Sequence, residues 1–291
     1  MLEERILKTL RFFNIQKYAV TLLELHRFLI ALSGPETAVR PSVSPAEVLQ
    51  GLESLRQAGK VAQQNGYYTL AGQEALFDLR WRGYRYGVWR EKIIRRTMKG
   101  LACVPFVRGV ALAGSQALGL QKAESDIDLL VITEPKWLWL PRTLVTAYFQ
   151  ILGIRRHGTN IANRVCLNHY LSGPKAMIVG HNWYTALEYS KLRPLVGAAF
   201  VAQFQERNRK WVCSLFPHAV PVRTSAVARP IAQGLAERVL TNAFGRYIER
   251  VLGNWQGKRI HKDEPHIIVE ADELSFHPKS KQDALLEEFK V

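Results

Sequence analysis

The residues best suited to chemistry are a glycine–serine turn and a pair of aspartates that follows it. The turn is Gly114-Ser115-Gln116-Ala117-Leu118-Gly119, and ten residues separate Ser115 from Asp126-Ile127-Asp128. A tight Gly-Ser turn after a strand can hold a phosphate against backbone N–H groups. Aspartates spaced by one residue on a strand put both carboxylates on one face, because side chains alternate. The combination predicts a site for a metal-bound nucleotide.

The predicted roles within this site follow from the chemistry of each group. Asp126 and Asp128 are the predicted ligands of Mg²⁺ or Mn²⁺, because hard cations bind carboxylate oxygens. Ile127 between them should point into the core. We expect the two carboxylates to be unpaired and to repel each other without a cation, which favours a metal over a structural salt bridge. In the structural alternative, the aspartate pair caps a turn, and Gly114 and Ser115 form an ordinary loop.

Competing motifs are not present around this turn. Gly114-Ser115-Gln116 lacks the second glycine of a dinucleotide fingerprint, and no Gly-Lys-Ser/Thr follows to form a P-loop. Ser115 does not stand in the GxSxG arrangement of a hydrolase, and the eight histidines never form HExxH. Metal-held nucleotide chemistry is therefore the interpretation that the residues favour.

The elements that must position these residues form a predicted α/β unit over residues 101–175. Apolar runs on either side of the turn and the aspartates indicate buried strands. A helix should begin directly after the Gly-Ser turn, and two further elements should complete the unit. The predicted ranges are a strand at 107–113, the aspartate strand, a helix at 140–152 and a strand at 164–171.

The pattern apolar-Gly-Ser, ten residues, Asp-apolar-Asp-apolar resembles the signature of the DNA polymerase beta-like nucleotidyltransferase superfamily. The resemblance covers roughly residues 105–172. It implies that Gly114 and Ser115 contact the phosphates of an NTP and that Asp126 and Asp128 bind Mg²⁺. More loosely, Val165-Cys166-Leu167-Asn168 and Tyr184-Thr185-Ala186-Leu187-Glu188 resemble an uncharacterised subgroup with an N-terminal winged helix.

The chain departs from that superfamily at one position. The superfamily usually supplies a third carboxylate from a later strand, as a metal ligand or as the base for the attacking hydroxyl. The predicted strand at 164–171 contains no acid, and Asn168 or His169 stands in its place. An amide oxygen can bind a hard cation, which makes Asn168 a candidate metal ligand. His169 is the candidate catalytic base; the alternative is a core histidine satisfied by hydrogen bonds.

No aspartate occurs between Asp128 and Asp263, and the nearer glutamates in the sequence do not fill this gap by pattern. Glu134, Glu188 and Glu206 fall in predicted loop or helical surroundings. Two hypotheses therefore stay open. Either the enzyme works with two acids and a substitute base, or it has kept nucleotide binding and lost catalysis.

Residues 1–72 predict a winged helix-turn-helix. Three amphipathic helices are indicated, the second capped by Thr21 and the third by Ser44 in a capping box. Asn65-Gly66 between two short strands is a hairpin-turn signal. The third helix is nearly neutral, which is a poor electrostatic footprint for the major groove. DNA binding and a structural or protein-docking role are equally open for this unit.

Residues 73–100 predict a basic connecting helix, weakened by Gly83 and Gly87. Between positions 80 and 99 there are eight basic residues and one acid. A helical projection places four of them on one stripe beside aromatic residues, which suits a nucleic-acid backbone. The alternative is a solvated face whose long side chains cover apolar surface. The stripe consists of Arg85, Lys92, Arg96 and Lys99.

The whole-chain composition agrees with a polyanionic partner. The chain of 291 residues has 40 Lys and Arg against 25 Asp and Glu, a net charge of +15, which favours nucleic acid or nucleotides. Three separated cysteines form no metal or disulfide pattern and indicate a reducing cytosol. The N-terminus lacks the layout of a signal peptide, and no apolar run approaches the roughly 20 residues of a membrane helix. We expect a cytoplasmic protein with no membrane partner.

Residues 176–291 predict a mainly helical region without a readable motif. The expected helices are 183–192, 199–215 and 231–252, followed by a strand-like run at 266–269 and a short closing helix. The expected fold is an α/β nucleotidyltransferase core with an N-terminal winged helix-turn-helix and a helical C-terminal region. The leading functional hypothesis is Mg²⁺-dependent transfer of an NMP from an NTP to an unidentified acceptor. The alternative is a nucleic-acid-binding regulator whose transferase domain senses nucleotide but is catalytically impaired.

Overall fold

A computed structural model describes residues 2–31, 43–173, 181–260, 268–270, 272–276 and 287–289. Its elements alternate between helices and strands in the first two thirds of the chain and are mainly helical afterwards. In chain order they are α1 (Leu2–Ile15), β1 (Val20–Thr21), α2 (Leu22–Arg27), α3 (Pro45–Gln57), β2 (Val61–Gln64), β3 (Tyr67–Leu70), α4 (Ala75–Leu101), β4 (Val107–Leu112), α5 (Gly114–Leu118), β5 (Ile127–Thr133), α6 (Trp139–Ile151), β6 (Val165–Ser172), α7 (Trp183–Ser190), β7 (Arg193–Val196), α8 (Ala198–Leu215), α9 (Ile231–Leu240), α10 (Ala243–Arg259), β8 (Ile268–Val269) and β9 (Glu273–Ser275).

The N-terminal part contains the three helices and the hairpin that the sequence predicts. Thr21 and Ser44 both form capping boxes, in which the side chain accepts from the backbone of the third helical residue. β2 and β3 pair across a turn in which Asn65 and Gly66 both have positive φ. β1, which is too short to show a period in the sequence, adds a third strand to this sheet. The assignment as a winged helix-turn-helix stays a prediction.

The central part is a six-stranded mixed sheet in the order β7-β4-β5-β6-β9-β8. β5 runs parallel to β6, whereas β4 is antiparallel to both β5 and β7. Separate apolar clusters cover the two faces of the sheet, so its middle strands are buried on both sides. This mixed α/β sheet agrees with the predicted core. β7 was not predicted, because it is short and contains Pro194, a residue that sheets accept at an edge.

The basic connecting segment forms one continuous helix, α4, of 27 residues. Gly83 and Gly87 do not interrupt it; they let the loop before Asp126 approach the helix closely. A Cβ at Gly83 would lie 3.0 Å from the carbonyl oxygen of Gly119. The fully buried Arg90 donates from Nη2 to the carbonyl oxygens of Lys122 and Ala123 at 2.7 and 2.8 Å. α4 is therefore fastened to the loop that leads to the aspartates.

The prediction of one helix over 231–252 is wrong, because the chain turns between α9 and α10. Asn242 caps α10 by accepting from the N–H of Gly245 at 2.9 Å. A Cβ at residue 245 would overlap the carbonyl group of Leu240, so the turn requires glycine there. The capping asparagine and the close approach outweigh the continuous helical pattern.

The α9–α10 pair turns its polar side chains toward the sheet. Glu237 receives two hydrogen bonds from Arg108 of β4, at 2.6 and 2.9 Å. Glu249 accepts from three successive backbone N–H groups at the start of α6, a favourable place for a carboxylate. The opposite side of the pair carries seven large apolar side chains that are 44–87% exposed. This outward apolar face consists of Ile231, Leu235, Val239, Phe244, Tyr247, Val251 and Trp255.

A buried ionic cluster joins the N-terminal part to the core. Glu24 of α2 accepts from Tyr18 and Arg80 at 2.5 and 2.9 Å, and the ammonium of Lys191 lies 3.4 Å away. Burial alone would raise the pKa of Glu24, but Lys191, Arg80 and the Tyr18 hydroxyl lower it to about 2. Burial lowers the pKa of Lys191 to about 8, and Glu24 opposes that shift. A single buried carboxylate thus serves two cations, Arg80 and Lys191.

Replacing Glu24 by glutamine should lower the free energy of unfolding by about 3–5 kcal/mol, because it leaves buried cations without their anion. The wild-type contribution should be lost as pH falls from 4.5 toward about 2, since the folded pKa is the lower one. Urea unfolding at several pH values measures both effects. E53Q, which removes half of an exposed Glu53–Arg56 pair, is the control and should cost less than about 1 kcal/mol. Equal losses in the two variants would contradict the prediction.

Candidate functional site

Gly114 and Ser115 are the first two residues of the short helix α5, which follows β4 and lies against the aspartate strand. The N–H of Ala113 donates to the carbonyl oxygen of Asp128 at 3.0 Å. Gly114 has a φ of 55°, and a Cβ there would overlap the carboxylate of Asp128. Only glycine therefore lets the turn adopt this conformation and lets the carboxylate lie against its backbone. Ser115 follows as the second residue of α5, partly exposed.

The two aspartates lie together as the sequence predicts. Ile127 between them is buried in the core cluster, so its neighbours point the opposite way. The carboxylate oxygens of Asp126 and Asp128 and the sulfur of Cys166 all lie within 4.8 Å of one another. Cys166 stands opposite Asp128 in the parallel pairing of β5 and β6. Cys166 is not among the predicted site residues, although its strand was expected to contribute to the site.

The expectation that the aspartates are unpaired is wrong for Asp126. Nη1 of Arg156 donates to Oδ2 of Asp126 at 2.5 Å and lies 3.5 Å from the sulfur of Cys166. Arg156 belongs to the segment between α6 and β6, 28 positions beyond Asp128, and no motif marks it. Its side chain is 39% exposed, and its guanidinium supplies a positive charge that offsets the repulsion of the carboxylates.

The donor set suits a hard divalent cation. Burial, followed by the charges of Asp128 and Asp126, raises the pKa of the Cys166 thiol to about 12. In the absence of a cation the thiol is therefore protonated at neutral pH. The two carboxylates supply oxygen ligands, which favour Mg²⁺ or Mn²⁺ over softer metals.

Asn168 and His169 are the predicted substitutes for the third acid, and the structure describes the side chain of only one of them. Asn168 lies in β6, and its side chain is outside the described residues. His169 is buried, with Nε2 at 2.9 Å from Oε1 of Glu273 on β9 and its ring edge against Tyr189. The structure does not bring His169 into the cluster of Asp126 and Asp128. Its position favours the alternative of a core histidine satisfied by hydrogen bonds.

Helix α7 borders the same site from the side of α5. Burial raises the pKa of Tyr184, and the negative charges of Glu188 and Asp128 raise it further. The charges of both carboxylates therefore act on the phenol of Tyr184. Sequence reasoning set Glu188 aside because of its helical surroundings. The fold, however, packs that helix against α5.

The four residues of the predicted basic stripe are all exposed on α4. Exposed aromatic rings lie on the same helix, and the rings of Trp81 and Tyr84 stack at 5.9 Å. Other basic residues of α4 have partners in the protein, for example the buried Arg90 with Asn163 and the partly exposed Arg95 with Glu91. The stripe of Arg85, Lys92, Arg96 and Lys99 is thus distinct from the structural cations of α4.

Comparison with known protein families gives one match. Residues 92–139 match the family model of the nucleotidyltransferase domain, a stretch that contains the Gly-Ser turn and both aspartates. The match supports the polymerase beta-like superfamily and agrees with the mixed α/β core. The search of curated proteins and the search of solved structures give no match. None of the described helices is long and apolar enough to span a membrane.

Replacing Gly114 by alanine should destabilise the fold and weaken metal binding, because the new methyl group displaces the carboxylate of Asp128. We expect a loss of about 1–3 kcal/mol in unfolding free energy and a Mn²⁺ affinity reduced at least about tenfold. G153A is the matched control, since Gly153 also has a positive φ but a Cβ there meets nothing within 4 Å. Urea unfolding and Mn²⁺ titration measure the two effects. Unchanged Mn²⁺ affinity in G114A would show that this contact does not shape the site.

Proposed function

We propose that the protein is a divalent-metal-dependent nucleotidyltransferase that transfers an NMP from an NTP to an acceptor. The observation that carries the proposal is the contact of the Asp128 carboxylate with Gly114, beside Asp126 and inside the matched stretch. Nucleotidyl transfer needs an aligned triphosphate and neutralised charge rather than covalent help from the protein. A turn that accepts phosphate beside paired carboxylates meets both needs.

Asp126 and Asp128 would hold the cation, because they are the oxygen donors that the cluster offers. When bound, Mg²⁺ or Mn²⁺ neutralises the phosphate oxygens and stabilises the charge of the departing pyrophosphate. The backbone of Gly114 and Ser115 receives the phosphate groups. Arg156, already beside Asp126 and partly exposed, places a further positive charge at the site.

Replacing Asp128 by asparagine should reduce turnover at least about 100-fold, because a neutral amide binds a divalent cation weakly. The assay measures metal-dependent pyrophosphate release from NTPs with nucleic-acid, small-molecule and protein acceptors, and transfer of an α-labelled NMP. D78N, which changes an exposed aspartate of α4, is the control and should match the wild type. The proposal fails if the wild type releases no pyrophosphate with Mg²⁺ or Mn²⁺ across these acceptors.

The second candidate function is a nucleic-acid-binding regulator whose transferase domain senses nucleotide. The exposed stripe of α4 with its stacked aromatic rings favours it, since single strands bind through backbone charge and ring stacking. The tie between Arg90 and the loop before Asp126 also connects this helix to the site. The same surface would serve the leading function if the acceptor is a nucleic acid.

The triple variant R85A/K92A/R96A should weaken binding to a single-stranded RNA oligonucleotide. Losing three phosphate contacts should reduce the slope of log affinity against log salt by about 2. Fluorescence anisotropy at several salt concentrations measures this slope. R238A/R250A/K258A removes three exposed cations from α9 and α10 and controls for net charge. If both triple variants reduce affinity equally, the stripe is not a specific surface.

A further inference from the structure

The Gly-Ser turn is carried by a helix that is too short to hold its own position. α5 has only five residues, Gly114–Leu118, and it ends at Gly119 with a left-handed φ of 79°. A helix of this length is not stable by itself in water, because its first turn costs more free energy than it gains. Its first residue contacts the carboxylate of Asp128. The orientation of the turn therefore also depends on what holds the other end of the helix.

The N-terminal part of the chain and the start of α4 enclose that other end. Leu118 is 3% exposed and packs in the same apolar cluster as Tyr18 and Phe28. A Cβ at Gly119 would lie 2.6 Å from Nη1 of Arg80 and 3.5 Å from the ring of Tyr18. No side chain fits between the end of α5 and these two residues, so the enclosing elements fix where the helix ends.

Lys191 makes the charged contact at the same end. Its ammonium donates to the carbonyl oxygen of Leu118 at 3.4 Å and to the hydroxyl of Tyr18 at 3.1 Å, and its side chain is only 8% exposed. A cation is favourable there, because the last carbonyl groups of a helix carry partial negative charge. Glu24 of α2 lies 3.4 Å from the ammonium and balances its charge. Lys191 therefore joins α5 to the N-terminal part.

We propose that Lys191 is a positioning residue for the Gly-Ser turn and that the N-terminal part, which supplies its counter-ion, completes the nucleotide site. This role rests on the proposed function, in which the turn receives the phosphate groups of an NTP. Lys191 acts through the backbone of α5, because Leu118 lies one helical turn after Gly114 and fixing one end orients the other. Asp126 and Asp128 belong to the aspartate strand and its start rather than to this helix. Lys191 should therefore affect the affinity for nucleotide and not the affinity for the cation.

Replacing Lys191 by methionine (K191M) keeps the length of the side chain and removes its charge and its hydrogen bonds. The affinity for the NTP that the wild type binds most tightly should fall at least about fivefold, because a hydrogen bond from a charged group is lost. The Mn²⁺ affinity measured without nucleotide should stay within about twofold, because the carboxylates lie on another segment. Isothermal titration calorimetry with Mn²⁺ alone, and with ATP, GTP, CTP and UTP in the presence of Mn²⁺, measures both affinities. Glu24 keeps Arg80 as its partner in this variant.

Tyr18→Phe is the matched control. The Tyr18 hydroxyl donates to Glu24 and accepts from Lys191, so its loss disturbs the same buried cluster but leaves the contact between Lys191 and Leu118. Y18F should lower the free energy of unfolding, while its nucleotide affinity should stay within about twofold of the wild type. Equal losses of nucleotide affinity in Y18F and K191M would show a structural role and overturn the proposal. Unchanged nucleotide affinity in K191M, or a proportional loss of its Mn²⁺ affinity, would also overturn it.

A measurement on the wild type decides the case in which K191M does not fold. Coupling between two parts of a protein is reciprocal, so bound nucleotide should in turn stabilise the N-terminal part. With Mn²⁺ and the NTP bound, hydrogen exchange of the backbone N–H groups in β1 and α2 should slow at least about threefold. Unchanged exchange in these elements would overturn the positioning role.

The proposed transfer can fail separately. If the wild type binds an NTP with Mn²⁺ but releases no pyrophosphate with any acceptor, the transferase function fails, and the binding comparison still supports or overturns the role of Lys191. If the wild type binds none of the NTPs, the positioning role is overturned, because the turn then receives no phosphate.

Discussion

The geometry of the site depends on the absence of a side chain at residue 114. At this residue the turn and the aspartate strand approach more closely than a residue with a side chain would allow. The backbone has a positive φ, and the Asp128 carboxylate occupies the place of a Cβ. The contact fixes the turn relative to the aspartate strand with no adjustable side chain between them. A phosphate on the turn and a cation on the carboxylates would therefore be held at a fixed separation, which in-line transfer requires.

Around this contact the protein balances strong charges with fixed partners. The chain is highly basic overall, yet the site concentrates acidic groups. Arg156, which is partly exposed, offsets the negative charge of the carboxylates. Arg90 holds the preceding loop by donating to carbonyl oxygens rather than to acidic side chains. Glu24 and Lys191 repeat this balance between the N-terminal part and the core. In each arrangement a cation holds backbone carbonyl groups or carboxylates in place. The rest of the surface keeps its charge.

The sequence predicted the parts of the fold that local patterns encode. Strand alternation located the aspartates and the direction of Ile127, and capping residues located the starts of α2 and α3. Patterns could not show Arg156 or Cys166 beside the aspartates, because pairing of distant segments brings them there. The break between α9 and α10 depends on one close backbone approach at Gly245. The sequence does not show this break, because the helical pattern continues on both sides of it.

The α9–α10 pair contacts the core on one side and exposes apolar side chains on the other, so substitutions on its two sides should have different effects. Inward polar residues such as Glu237 and Glu249 hold the sheet and α6, so most changes there alter folding. The outward apolar face, in contrast, contributes little to the free energy of unfolding, since its side chains remain in water in the folded chain. Polar substitutions at Val239 or Phe244 should therefore leave the monomer equally stable and make it more soluble. If such substitutions are harmful in a living cell although the isolated chain stays stable, the apolar face is needed for something other than the folding of that chain.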